Sequence, residues 1–229
     1  VSIPTLYIVG ADKGGVGKTT LTRLLLDYFR STGVAFKAYD TESPSGALQR
    51  FFPDQTEIVD LTKSSAQMKV FDNIGGAQAT VIDIRAGLLA KTLATLIEIG
   101  FLEAARKNQL RIVVLHVIGP ATQSLDEVEP VLKMLQGAAR HIVVANHIND
   151  TEYAVPKGAL VITKLDETAC GQVDKAALPY TDFVKSTAIM IDNQMQQTSF
   201  VLRGKVRNWT ALAFEAFDNE KLNESPSLI

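Results

Sequence analysis

Cysteine is nearly absent: Cys170 is the single one in 229 residues. That excludes an internal disulfide framework, a cysteine-rich zinc site and a CxxC redox pair, and it fits a reducing cytoplasm. A lone thiol without a histidine neighbour reads as a small packing residue. Histidine is scarce too. His116, His141 and His147 lie in or beside strand-like segments without metal-ligand spacing, so structural roles are expected of them. Positive charge is not in excess. With 23 Lys and Arg against 25 Asp and Glu the net charge is -2, so no global field draws the chain to nucleic acid or to an anionic membrane. Long apolar runs are also missing. The longest, residues 88–105, is broken by Lys91, Glu98 and Glu103 and falls short of the ~20 residues a membrane span needs. The chain opens directly on strand-like sequence with no basic region ahead of it, so no secretory leader is expected. A cytoplasmic protein with no membrane partner follows as the expectation.

What the chain does contain is an alternation of short β-rich runs with helical stretches. That pattern predicts an α/β fold with a doubly wound, mostly parallel sheet and helices on both faces. The length suits one domain, placed at residues 1–217, with a polar tail at 218–229 that should fray. Strands are expected at 6–10, 34–39, 58–61, 79–84 and 111–118, and the last two at 141–145 and 159–163. Helices are expected at 18–30, just before Phe71, at 88–106 as one long rod, at 124–135 and at 204–217. Leu21, Leu24, Leu25 and Tyr28 recur at helical spacing. Gly33 stands where a helix C-cap belongs. Asp126, Glu127 and Glu129 suit the positive end of a helix dipole.

Chemistry concentrates between the first strand and the first helix, in Lys13-Gly14-Gly15-Val16-Gly17-Lys18-Thr19-Thr20. Three glycines within four residues let successive backbone N–H groups curl around phosphate oxygens, an approach that a Cβ would obstruct. The following helix points its positive end at the same anion. In such a loop Lys18 reaches the β- and γ-phosphates and the Thr19 hydroxyl ligates Mg2+. The standard form G-x-x-x-x-G-K-[ST] is missed by one residue, because Asp12 occupies the first glycine position.

The form K-G-G-x-G-K-T resembles the deviant Walker A ATPases, the family of MinD, ParA and the nitrogenase iron protein. The likeness runs from residue 6 to about 217 and implies ATP and Mg2+ as cofactors. It further implies that Lys13 is a signature lysine, reaching across an ATP-dependent homodimer to the partner's phosphates. A second cation at a transferring phosphoryl group is what that chemistry rewards. The family's behaviour implies a Mg-dependent ATPase, slow or stimulated by a partner protein, that works as a molecular switch. A looser likeness to small plasmid-encoded members of the TraL and StbB type rests on length, on YDTES-P and on the LHVIGPATQSLD and HIVVANH segments. It points towards plasmid or DNA partition or transfer.

Asp83 closes a buried-looking strand and matches the family's Walker B and switch II position; burying an unpaired carboxylate is costly, so a strand-end site facing Mg2+ explains it better than core packing. Asp40-Thr41-Glu42-Ser43-Pro44 matches switch I, with Asp40 a candidate for the Mg2+ water shell. Glu42 stands where the family has a shorter acid serving hydrolysis, and the proline comes one residue late. Thr19, Asp40 and Asp83 are thus the candidate metal residues. Lys13, Lys18, Asp40, Glu42 and Asp83 are the candidate catalytic ones. Asn146 resembles the family's adenine-contacting asparagine, since its amide both donates and accepts. Thr163-Lys164-Leu165-Asp166 reads as a competing guanine motif of the T-K-x-D type. Two alternative functions stay open: a dethiobiotin-synthetase-like ligase, and a guanine-nucleotide switch. A cluster-carrying reductase lacks the cysteines it needs. Arg203, Lys205 and Arg207 form a small basic group that leaves DNA open as a partner.

Overall fold

The computed structural model describes residues 3–120 and 123–224. Seven strands, β1 (Thr5–Gly10), β2 (Phe36–Asp40), β3 (Thr56–Ile58), β4 (Ala79–Asp83), β5 (Arg111–Ile118), β6 (Arg140–Asn146) and β7 (Leu160–Ile162), form one sheet in the order β3-β2-β4-β1-β5-β6-β7. Every neighbouring pair in it is parallel. Because β1 is flanked by β4 and β5, the chain reverses its winding direction beside it, and the C-terminal ends of these strands border a crevice suited to ligands.

Alternation along β1 divides the core. Leu6 and Ile8 face a layer built on α2 (Ser64–Phe71), α3 (Leu89–Glu98), α4 (Phe101–Arg106) and α6 (Val128–Leu135). Tyr7 and Val9 face α1 (Lys18–Thr32), α7 (Glu167–Ala176), α8 (Tyr180–Lys185) and α9 (Phe200–Asn219). Strands buried on both faces read as continuous apolar runs, which is why 79–84 and 111–118 were conspicuous. The α/β doubly wound class is therefore observed. The first helix ends at Thr32 with Gly33 in the left-handed conformation, its N–H bonded to the Phe29 carbonyl.

Four expectations need correction. The long rod at 88–106 is two helices, α3 and α4, separated by Gly100 at φ 82°. The helix at 124–135 is interrupted at Glu127, leaving the short α5 (Gln123–Asp126) ahead of α6. Pro130 has no N–H for the Asp126 carbonyl, and a proline in the first turn of α6 loses nothing. The strand at 160–162 is not the last. A hairpin of β8 (Ala188–Ile191) and β9 (Gln194–Gln197) follows, turning on Asp192 and Asn193, both at positive φ. Finally, the segment expected to fray from residue 218 is pinned as far as Glu224. Leu222 is buried, its carbonyl accepts the Tyr7 hydroxyl, and Glu220 pairs with Arg140. The rest of that tail lies outside the described residues.

Candidate functional site

The phosphate-loop sequence occupies the turn from the C-terminal end of β1 into α1. Gly17 caps the helix at φ 82°, and a Cβ there would stand 2.2 Å from the Asn146 side-chain nitrogen. Conformation and close approach both require glycine. Val16 is buried against Gly119, which fixes the middle of the loop. Lys18, the first residue of α1, folds its ammonium back to donate to the Lys13 carbonyl at 3.1 Å. Burial lowers its pKa, opposed by the charges of Asp83, Glu42, Glu127 and Asp12.

Thr19 and Asp83 meet directly: the Thr19 hydroxyl donates to Asp83 Oδ2 at 2.7 Å. Asp83 ends β4 and is 4% exposed. Burial pushes its carboxyl up to about 7, with the Thr19 hydrogen bond and Lys18 lowering it and the charge of Asp40 raising it. Asp40 ends the adjacent strand in register with Asp83. Its carboxylate organises the following loop, Oδ1 accepting the Glu42 amide and Oδ2 the Leu48 amide, each at 2.9 Å. Glu42 itself is exposed. A buried carboxylate driven towards neutrality beside a second acid is a place that a divalent cation would stabilise, so Thr19 and Asp83, with Asp40 behind them, fit Mg2+. Among the described residues no group of three or more His, Cys, Asp or Glu side chains could hold a metal. Mg2+ ordinarily keeps several of its waters and is held through one or two carboxylates together with phosphate oxygens.

Asn146, 2% exposed at the end of β6, gives its amide donors to the Val16 carbonyl at 3.0 Å and the Gly17 carbonyl at 3.2 Å. It clamps the loop across 130 residues of sequence. Beside it lies a cavity of about 170 Å3 lined by Thr20, Asn146, His147, Ile148, Thr163 and Leu165 among others. The competing guanine motif is arranged differently. Asp166 caps α7 by accepting the Ala169 amide at 3.0 Å and pairs with Lys205 at 2.5 Å. Lys164 bridges Asp150 and Glu167. The same pairing removes Lys205 from the basic group on α9.

Three residues at this site went unrecognised in the sequence. Glu127, read as a helix-dipole acid, accepts the Asp12 amide at 2.8 Å. Asp12, read as a missing glycine, takes the Leu89 amide on its Oδ1 at 2.9 Å. Thr41 links the two switch-like segments, its hydroxyl donating to the Asp83 carbonyl at 3.0 Å and accepting the Arg85 amide at 2.7 Å. Separations of 115, 77 and 44 residues carry no local signal, and only Asp12 was marked, by its departure from the motif. The histidines take packing positions. His116 and His141 stand 3.2 Å apart, nitrogen to nitrogen, on adjacent strands, and His147 lies against Tyr153.

No protein-family model matches the chain. The protein MobD of Acidithiobacillus ferrooxidans is 19% identical over 166 residues, covering 71% of this chain and 73% of that protein. The septum site-determining protein MinD of Pyrococcus horikoshii, solved with Mg-ADP, superposes with a TM-score of 0.59 at 15% identity, over 97% of this chain and 99% of that one. A ParA family ATPase from Chlorobium tepidum superposes with a TM-score of 0.55 at 12% identity, over 90% and 97% of the two chains. The chain therefore has the fold of the MinD and ParA ATPases.

Proposed function

We propose that the chain binds and hydrolyses ATP with Mg2+ and works as a switch, dimerising on ATP and acting on a partner protein. The convergence of Lys18, Thr19 and Asp83 at the head of α1, under a glycine loop, carries this reading. The loop amides and Lys18 receive the polyphosphate. Thr19 and Asp83 would hold the cation, with Asp40 towards its water shell, and a bound Mg2+ would supply positive charge to offset that developing on the transferred phosphoryl group. Asp83 positions Thr19 through the hydroxyl it already accepts, and Glu42, exposed beside the crevice, orients water. Gly14, Gly15, Val16, Gly17 and Thr20 complete the nucleotide-binding surface. The cavity between Asn146 and Leu165 takes the base. Adenine fits it better than guanine, because the Asp166 carboxylate is spent on a helix cap and on Lys205.

Lys13 is the residue that gives the switch its second subunit, by contributing a cation to the phosphates of the partner. A ligase reading gives Lys13 no such use. Light-scattering mass measurement with Mg-ATP, Mg-ADP and no nucleotide tests the point. Wild type is expected to become dimeric in ATP alone and Lys13→Ala to stay monomeric; a mutant that dimerises normally removes the signature role. Plasmid or DNA transfer is the setting favoured by the looser resemblance. DNA contact through Arg203 and Arg207 predicts affinity that falls steeply with salt, and an affinity indifferent to salt argues against it. Among the described residues no helix is long and apolar enough to cross a membrane.

A further inference from the structure

Asp12 breaks the standard phosphate-loop pattern, and its contacts give that departure a use. The residue is bonded on three sides. Its amide donates to Glu127 Oε2 at 2.8 Å, its carbonyl accepts the Gly87 amide at 3.0 Å, and its Oδ1 accepts the Leu89 amide at 2.9 Å. Leu89 is the first residue of α3, so its N–H has no partner within the helix, and no side chain of the preceding residue caps it. Glycine at position 12 could not supply that acceptor.

The apolar contacts run the same way. Leu89 is fully buried, and a Cβ on Gly10 would stand 2.7 Å from its Cδ1, so the end of β1 is bare where α3 begins. A Cβ on Gly14 would meet the Ala86 Cβ at 3.7 Å, so the loop passes close over 86. The stretch 84–89 is thus seated on the phosphate loop by backbone, side chain and packing, and its other side is tied to Thr41 through the Arg85 amide.

From this geometry we propose that Asp12 is a positioning residue coupling occupancy of the phosphate loop to the order of 85–89 and the first turn of α3. Nucleotide drawing the loop amides inward fixes the Asp12 backbone, and the carboxylate carries that constraint to Leu89. Arg85, exposed at the start of the coupled stretch, is where a partner would sense it. The inference rests on the polyphosphate reading of 13–20.

Amide hydrogen exchange on the full chain, read in peptides covering 85–93, tests the coupling with and without Mg-ATPγS, alongside nucleotide affinity from a titration. Wild type is expected to exchange more slowly there when nucleotide is bound. Asp12→Gly, the residue of the standard loop, should still bind nucleotide while losing most of that response. It should exchange roughly fivefold faster at Leu89, as loss of a helix cap implies. Asp12→Asn keeps the acceptor and removes the charge, so it should restore the wild-type response. Normal nucleotide-dependent protection in Asp12→Gly overturns the coupling, as does failure of Asp12→Asn to restore it. Absence of nucleotide binding in the wild type sinks the polyphosphate reading itself, and the coupling with it. Binding without any response in 85–93 sinks the coupling alone.

Discussion

Asn146 holds two carbonyls that a phosphate loop must turn away from its anion. Its Nδ2 lies 3.0 Å from the Val16 oxygen and 3.2 Å from the Gly17 oxygen, in a place only 2% exposed. Asn146→Ala takes the side-chain donor from the Val16 carbonyl and leaves the Gly17 carbonyl only the Leu21 amide at 3.0 Å, a cost of about 1–3 kcal/mol. Because the carbonyls belong to the loop, the loss should appear as weakened binding of ATP and GTP alike, by roughly tenfold or more. A residue acting on the base alone would instead shift the ATP-to-GTP ratio, so competition between the two nucleotides in the variant separates the roles. Lys18→Ala removes the ammonium at the head of α1, and hydrogen bonds to charged groups contribute about 1.5–3 kcal/mol. Nucleotide affinity should therefore fall by roughly ten- to a hundredfold, checked by titration calorimetry. Retained affinity would place the phosphates elsewhere.

The break between α3 and α4 is set by one backbone conformation. Gly100 sits at φ 82° with nothing within 4 Å of an added Cβ. Gly100→Ala therefore probes backbone strain without a steric clash, and should destabilise the fold by about 1 kcal/mol, measured by urea unfolding. A neutral result would mean that the two helices can fuse into the single rod their periodicity suggests. That rod shows where the sequence stops being legible. Apolar spacing is continuous through Leu93, Leu96 and Leu102, and a lone glycine in such a pattern reads as a tolerated interruption. The hairpin β8–β9 was missed for a related reason: its turn is Asp192-Asn193, without the glycine that usually marks such turns, and β9 is polar at every position but Met195. The central strands and the phosphate loop were legible because each carries its signal within a few consecutive residues. Asp83 was also legible, since an acid at the end of an apolar strand is anomalous on its own. Glu127 and Asp12 were not, because each acts through a partner brought near only by the fold.

At the scale of the whole molecule, folding stability is tied to pH through the buried face of the sheet. His116 on β5 is fully buried, with Nδ1 3.2 Å from His141 and Nε2 3.6 Å from the Glu127 carboxylate that holds the Asp12 amide. Burial, and then the neighbouring His141, push its pKa down to about 4. The unfolded chain, with an ordinary histidine pKa near 6.5, binds this proton more readily than the folded one. The stabilisation from keeping His116 neutral is therefore complete above pH 6.5 and is lost as pH falls from there to about 4. Glu127 runs the other way: burial raises its pKa, so its contribution favours the acid side and declines as pH rises through the folded value. Because the two windows overlap, the slope of wild-type stability alone does not isolate the histidine. His116→Phe does, when its stability relative to wild type is compared at pH 7 and pH 4.5. Between those conditions the variant should gain on wild type by roughly 2 kcal/mol, the linkage expected of the lowered histidine pKa. Urea unfolding at both pH values measures the difference. A variant whose relative stability is the same at both would show that His116 titrates normally in the folded protein, which requires Glu127 to hold its proton as an ion pair.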